Sequence, residues 1–180
     1  MTDTMPRPIF GIDHGTTGAI AVLDEATGEL LTVVDCPIRW LDGKRRCDEY
    51  AMAALLVSLA QRHGPPRVVG MEYGFHSPVQ SRASAFITGA QWGLWRGIVA
   101  TLGWPLDMIR PADWKRELLR GVPGDPKTKE RNILAAERMF PTLEISKRNG
   151  NGTVSILDGR ADAALIAEYA RRVRAGGRLS

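Results

Sequence analysis

The sequence predicts an α/β fold: one mixed five-stranded sheet, its first three strands antiparallel, flanked by helices. Three observations lead there. Short apolar runs open the chain with only tight turns between them, which implies an antiparallel meander. Later apolar runs alternate with amphipathic stretches of helical period, which implies strands joined through helices. The length of 180 residues, with 44% hydrophobic and 24% charged, suits a single globular domain over 1–180. A chain of that size buries about two-thirds of its unfolded surface.

Residues 9–13 read as a short buried strand and 19–23 as a second, with the β-branched Ile20 and Val22 on one face. A turn over 25–28 follows, where Gly28 can take a positive φ, and 30–35 is the third strand. Residues 48–61 are helical, with Met52, Leu55, Leu56 and Leu59 at helical spacing, and Gly64-Pro65-Pro66 stops the helix. The apolar run 68–72 is a fourth, central strand. Residues 81–102 form a long helix with Phe86, Ile87, Ala90, Leu94, Gly97, Ile98 and Thr101 on one stripe. The fifth strand is 106–109, and Pro111 opens a short helix at its first turn. Asp125-Pro126 reads as the N-cap and first position of a helix over 127–140. Residues 147–153 are a polar Gly/Asn-rich loop, 158–174 the closing helix, and 175–180 a frayed tail.

No apolar run reaches the ~20 residues of a membrane span. Residues 1–8 are polar and proline-bearing, without a signal-peptide core, so a cytoplasmic protein is expected. Cys36 and Cys47 have neither CxxC spacing nor a His cluster beside them, and free thiols are their expected state. The net charge of +4 is unevenly spread: residues 1–90 carry 8 basic and 10 acidic residues, 91–180 carry 16 and 10. A positive half suits an anionic partner, nucleic acid first, although a merely basic soluble protein has the same signature.

Asp13 ends one buried strand and Glu72 another, and strand ends of such sheets are where ligands bind. Either acid alone also reads as a turn former or cap. Asp158 and Asp162 are four apart, on one helix face continued by Leu165, Tyr169 and Val173. Asp162 lies in the run Ala161-Asp162-Ala163-Ala164-Leu165, and an aspartate on a core-facing stripe is costly without a neutralising partner. The alternative is a rotated stripe with both acids in solvent. Four converging carboxylates repel and raise one another's pKa. A divalent cation relieves this, and hard oxygen donors without His or Cys fit Mg²⁺ or Mn²⁺ rather than Zn²⁺. Two such ions about 4 Å apart suit phosphodiester hydrolysis, one generating the attacking hydroxide and the other stabilising the leaving oxygen. With these four acids neutralised, 24 basic residues face 16 acidic ones, an effective +8 that attracts a phosphate backbone.

Over almost its whole length the chain resembles the RuvC-type Holliday junction resolvases, the crossover junction endodeoxyribonucleases. Gly11-Ile12-Asp13, with Gly15 two residues on, is similar to that family's first acidic strand, and Met71-Glu72 to its second. The segment 158–167 resembles its closing helix, and Ile109-Arg110-Pro111 with Trp114-Lys115 resembles phage-type members. Gly89-Ala90-Gln91, then Gly93 and Gly97, resembles its glycine-bearing central helix. The resemblance implies an RNase H-like fold in which Asp13, Glu72, Asp158 and Asp162 hold two Mg²⁺ ions, Asp13 bridging them. Mn²⁺ is expected to substitute. It further implies a homodimer, formed through the 81–102 helix, that cuts four-way DNA junctions. Phe75 stands where the family can place an aromatic that stacks at the opened junction, and a core anchor is the alternative. Lys115, Lys127 and Lys129 are implied phosphate contacts, with solvated first-turn lysines the alternative for Lys127 and Lys129. The closing acids are four apart where the family can space three, which leaves Asp158 the ligand least fixed by the likeness. Lys44-Arg45-Arg46 is not a family hallmark and reads either as a DNA contact or as a solvated loop. His14 is expected to point away from the site, and Trp92 and Trp95 to pack in the protein or a dimer interface rather than stack on DNA.

Residues 11–18 also resemble the first phosphate-binding hairpin of actin-like ATPases and sugar kinases. Those enzymes enclose a nucleotide between two copies of the fold, 180 residues hold one, and the likeness leaves Asp158 and Asp162 unexplained. Two further readings keep the nucleic-acid partner: a nuclease of forks, flaps or RNA-containing substrates, and a module that binds junctions without cutting.

Overall fold

Strands β1 (Ile9–Ile12), β2 (Ala19–Leu23) and β3 (Leu30–Asp35) form the antiparallel meander. Strands β6 (Val68–Glu72) and β7 (Leu106–Ile109) add in parallel on the other side of β1, so the sheet runs β3-β2-β1-β6-β7. The labels β4 (Ile38–Leu41) and β5 (Lys44–Cys47) belong to a separate hairpin after β3, and β8 (Ser146–Arg148) and β9 (Val154–Ile156) to another. The helices are α1 (Glu49–His63), α2 (Arg82–Thr101), α3 (Pro111–Leu118), α4 (Glu130–Met139) and α5 (Asp158–Gly176). The computed structural model describes residues 7–74, 81–125, 128–150 and 152–176, and Phe75 and Lys127 lie outside them. Among the described residues no helix is long and apolar enough to cross a membrane.

The strand period of two divides the core. Phe10, Ile12, Ile20, Val22, Val69 and Met71 face one layer, where they pack with Met52 and Leu56 of α1 and Trp95 and Val99 of α2. Ile9, Ala19, Ala21, Leu23 and Val68 face the other, against α3, α4 and α5. On that second face the two paired central strands carry Gly11 opposite Gly70. A Cβ on Gly11 would overlap the Ala163 carbonyl and the Ala167 backbone, and one on Gly70 would press on Ala170. Small residues on both partners therefore seat α5 directly on the sheet. With α3 and α4 covering its outer side, α5 is buried from Gly159 through Glu168 with the exception of Arg160.

Local signals set the element ends. The Asp48 side chain accepts from the Ala51 N–H at 3.0 Å to cap α1, and Gly64 ends it. Pro111 stands in the first turn of α3. Gly28 takes φ 74°, in a turn where the Asp24 carboxylate accepts from the Thr27 N–H at 2.7 Å.

Four expectations need correction. The buried face of α2 is Gln91, Trp95 and Val99, not the stripe through Phe86 and Leu94; Phe86 is 78% exposed. Residues 36–47 hold the β4–β5 hairpin, so Lys44-Arg45-Arg46 lie on a strand and not in a solvated loop. Lys147 and Arg148, expected in a loop, belong to β8 and pair with Ser155 and Val154 of β9. Helix α4 starts at Glu130, later than expected, because the Asp125 carbonyl accepts the Thr128 N–H at 3.1 Å in a turn of its own.

Candidate metal centre and nucleic-acid interface

Parallel β1 and β6 end side by side, so Asp13 and Glu72 emerge at one edge of the sheet. The chain after Asp13 doubles back at once: the Asp13 N–H donates to the Ala19 carbonyl at 3.0 Å and the Gly18 N–H to that of Gly15 at 2.9 Å. The start of α5 docks on this loop through a backbone bridge between Gly18 and Gly159. A Cβ on either glycine would overlap backbone, at the Asp13 carbonyl or at Thr17 respectively. That contact brings Asp158 and Asp162, on the first turns of α5, to the Asp13 edge. Asp162 is only 4% exposed, so the alternative of a rotated, solvated stripe does not hold for it. Asp158 is half-buried at the rim.

Three groups hold these acids. Asn132, itself buried on α4, donates from Nδ2 to Asp162 Oδ1 at 2.6 Å. Lys129 places Nζ against Asp162 Oδ2 and 3.5 Å from Asp158 Oδ2. The buried Trp114 donates from its indole N–H to Glu72 Oε1 at 3.3 Å. Burial first, then the Asp162 charge, push the Asp13 carboxyl up to about 7 against the pull of Lys129. Burial also raises Glu72, opposed by Trp114 and Lys115. For Lys129, burial disfavours the ammonium, but the Asp162 charge and hydrogen bond outweigh it and the pKa is raised. Burial lowers the pKa of His14.

A cleft of about 490 Å³ opens beside the acids, lined by Lys115, Arg116, Arg120, Lys129, Arg131 and Asn132 among others. The expected contacts Lys115 and Lys129 thus sit together between α3 and α4. Trp95 is a core residue, and Trp92 is half-buried with the Arg96 guanidinium 4.2 Å above its ring. The Sγ atoms of Cys36 and Cys47, both free thiols, are 3.6 Å apart. Sequence reading gave no role to Asn132 and none beyond resemblance to Trp114. The signal for Asn132 was present: a polar side chain on the same stripe as Ala135 and Ala136, the argument used for Asp162.

Among the described residues no three His, Cys, Asp or Glu side chains stand ready-made around one ion. The donor chemistry nevertheless fits a divalent cation. Asp13, Glu72 and Asp162 are hard oxygen donors, the charge of Asp162 opposes ionisation of Asp13 and Glu72, and the Lys129 ammonium already serves as a cation between Asp158 and Asp162.

Neither a protein-family profile nor a curated protein sequence matches the chain. Solved structures do match its fold. RuvC of Thermus thermophilus in complex with a Holliday junction substrate superposes with a TM-score of 0.61 at 20% identity, over 94% of this chain and 96% of that one. Thermus thermophilus RuvC in a further structure gives 0.59 at 22% identity, over 94% and 96%. The yeast mitochondrial Holliday junction resolvase Ydc2 gives 0.52 at 17% identity, over 96% of this chain and 82% of that one. The fold is therefore the RNase H-like fold of these resolvases, a mixed five-stranded sheet flanked by helices.

Proposed function

We propose that this chain is a RuvC-type endonuclease that resolves four-way DNA junctions as a homodimer, by divalent-metal-dependent phosphodiester hydrolysis. One observation carries the reading: on the RuvC fold, Asp13, Glu72, Asp158 and Asp162 gather at one sheet edge beside a cleft lined by Lys115, Arg116, Arg120 and Lys129. Acids in the centre with cations at the side fit a cut at a phosphate held by its neighbours.

Asp13, Glu72, Asp158 and Asp162 would hold Mg²⁺ or Mn²⁺, which supplies Lewis acidity and a more acidic water at neutral pH. Trp114 fixes the Glu72 carboxylate and Asn132 that of Asp162, so neither acid must reorganise as charge develops. Lys129, drawn to Asp162, keeps a full positive charge at the place where the phosphate would enter. Lys115, Arg116 and Arg120 would bind the flanking phosphates. The dimer reading draws on α2: Phe86 and Leu94 are exposed on the face that carries Gly89, Gly93 and Gly97, an apolar surface of small residues.

The test is cleavage of a labelled four-way junction beside linear duplex, flap and RNA–DNA hybrid, with Mg²⁺ and with chelator. Paired, metal-dependent cuts confined to the junction are expected. Cutting of the flap or hybrid instead would keep the chemistry and replace the substrate. Tight junction binding with no cutting in Mg²⁺ or Mn²⁺ would reject the nuclease reading in favour of a binding module.

A further inference from the structure

The β4–β5 hairpin plays no part in the site described so far, and folding does not account for its composition. It turns through Asp42 and Gly43, whose φ values of 50° and 69° form the two-residue left-handed turn that suits a twisted hairpin. Its base is anchored: Cys47 is buried, and the Cys36 N–H donates to the Gly18 carbonyl at 2.8 Å. Its outer half is not. Trp40 is 69% exposed and Leu41 51% exposed.

The charge is as one-sided as the exposure. Arg39 faces Arg46 across the strands, and Leu41 faces Lys44. Arg39 is matched by Glu49 at 2.7 Å. Among the described residues Lys44, Arg45 and Arg46 have no acidic partner within ion-pair distance, and adjacent unmatched cations disfavour the hairpin by itself. Trp40 pairs with Arg45, which puts an indole plane and a guanidinium on one face. An exposed aromatic with one unmatched cation on its own face, Arg45, and two more, Lys44 and Arg46, on the other face of the ribbon is complementary to a nucleic acid, base against ring and phosphates against cations.

Position completes the case. Arg45 Nη2 donates to the Thr16 carbonyl at 3.0 Å, in the loop between Asp13 and Gly18. The hairpin leaves the end of β3, which runs parallel to β1 across β2, so it rises at the same sheet edge as Asp13. The basic cleft opens between α3 and α4, in the helical layer that covers α5. Hairpin and cleft therefore both border the carboxylates, the hairpin through the Thr16 loop and the cleft through Lys129 and Asn132.

We propose that the β4–β5 hairpin is a DNA-binding arm, in which Trp40 stacks on an unpaired base next to the cut, Arg45 holds the phosphate beside it, and Lys44 and Arg46 hold phosphates along the other face of the hairpin. This rests on the nuclease reading above and adds a contact surface to it. Binding of the full chain to a fluorescent four-way junction and to linear duplex, in chelator and over a series of salt concentrations, tests it. Trp40→Ala should weaken junction binding about tenfold, since a stacked base is worth that order, and duplex binding much less. Lys44→Gln, Arg45→Gln and Arg46→Gln together should weaken both and flatten the log–log salt slope by about 2–3, at about 0.9 per lost phosphate contact. Wild-type affinity and slope in both variants would overturn the arm while leaving the nuclease intact. Loss of the dimer in Trp40→Ala would assign the surface to protein contact and also overturn it. A wild-type protein that neither binds nor cuts any DNA would instead reject the nuclease reading. Because Trp40 is exposed, its removal should leave the melting temperature unchanged, so a fall in affinity cannot be laid to unfolding.

Discussion

Asp13 is a carboxyl folded into a place where its charge is unwelcome. Burial, then Asp162, lift it to about 7 from an ordinary 3.8. A folded-state pKa above the unfolded one makes the group's contribution greatest below the unfolded value, and it is lost as pH rises through the folded value. In chelator, the melting temperature of Asp13→Asn relative to wild type should therefore climb between about pH 4 and pH 7 and level off above. A difference that stays flat across that window would remove Asp13 from the strained cluster. Asn132 makes a second residue-scale case. Its amide holds Asp162 without touching any reacting group, so Asn132→Ala should raise the Mg²⁺ concentration needed for cutting about 10- to 100-fold. Saturating Mg²⁺ should restore most of the rate. A deficit that no Mg²⁺ concentration repairs would mean that Asn132 supports the fold and not the acid. The two residues differ in how readable they were. Asp162 stands out in the sequence as a carboxylate in an alanine run, whereas Asp13, at a strand end, reads equally well as a cap. Asn132 carried the same mark, a polar side chain on an apolar stripe, but an amide there has many ordinary explanations and only the contact to Asp162 selects one.

At the scale of elements, the site depends on how closely α5 lies on the sheet. Gly11 and Gly70 leave no side chain between β1–β6 and the helix, and Ala163, Ala167 and Ala170 fill the gap. Gly11→Ala should cost about 1–3 kcal/mol or more by overpacking against backbone that cannot give way. Urea denaturation would measure it, and a loss below about 0.5 kcal/mol, the size of an ordinary surface change, would show that α5 has room to shift. The five sheet strands were legible because short apolar runs of strand length leave little choice. Helix α2 was not: it carries apolar residues all round, and periodicity cannot tell which side the sheet takes. The sheet takes Trp95 and Val99, and the stripe through Phe86 and Leu94 is left facing outward. If the proposed homodimer forms through this face, Leu94→Glu should leave the fold intact and give a monomer in sedimentation. A variant as dimeric as wild type would place the interface elsewhere.

Across the whole molecule, acids from residues 13, 72, 158 and 162 meet only because a parallel strand pair and a closing helix end at one edge, which no local pattern encodes. Two strand ends and one helix face made such a convergence conceivable, and the resemblance implied the full set of four as ligands. Residue pattern alone left Asp13 and Glu72 as equally good caps. Both small hairpins are hard to read because their strands, Lys44–Cys47 and Ser146–Arg148 among them, lack apolar alternation; the Asp42-Gly43 and Asn149-Gly150 pairs are the turn signals the sequence offers. Gathering like charges away from water costs stability in the metal-free chain, and a cation that neutralises them must return part of it. Mg²⁺ at 100 times its dissociation constant would add about 2.7 kcal/mol. For a domain of this size that is a rise of about 5–10 °C in melting temperature. The rise should exceed that given by KCl of equal ionic strength, and it should be abolished in Asp13→Asn and Asp162→Asn. Because Lys129 already neutralises part of the cluster, Lys129→Gln should enlarge the Mg²⁺ effect even as it weakens cutting. Equal melting temperatures in Mg²⁺, Mn²⁺ and chelator would mean that Lys129 alone answers the carboxylates and that the cluster is structural.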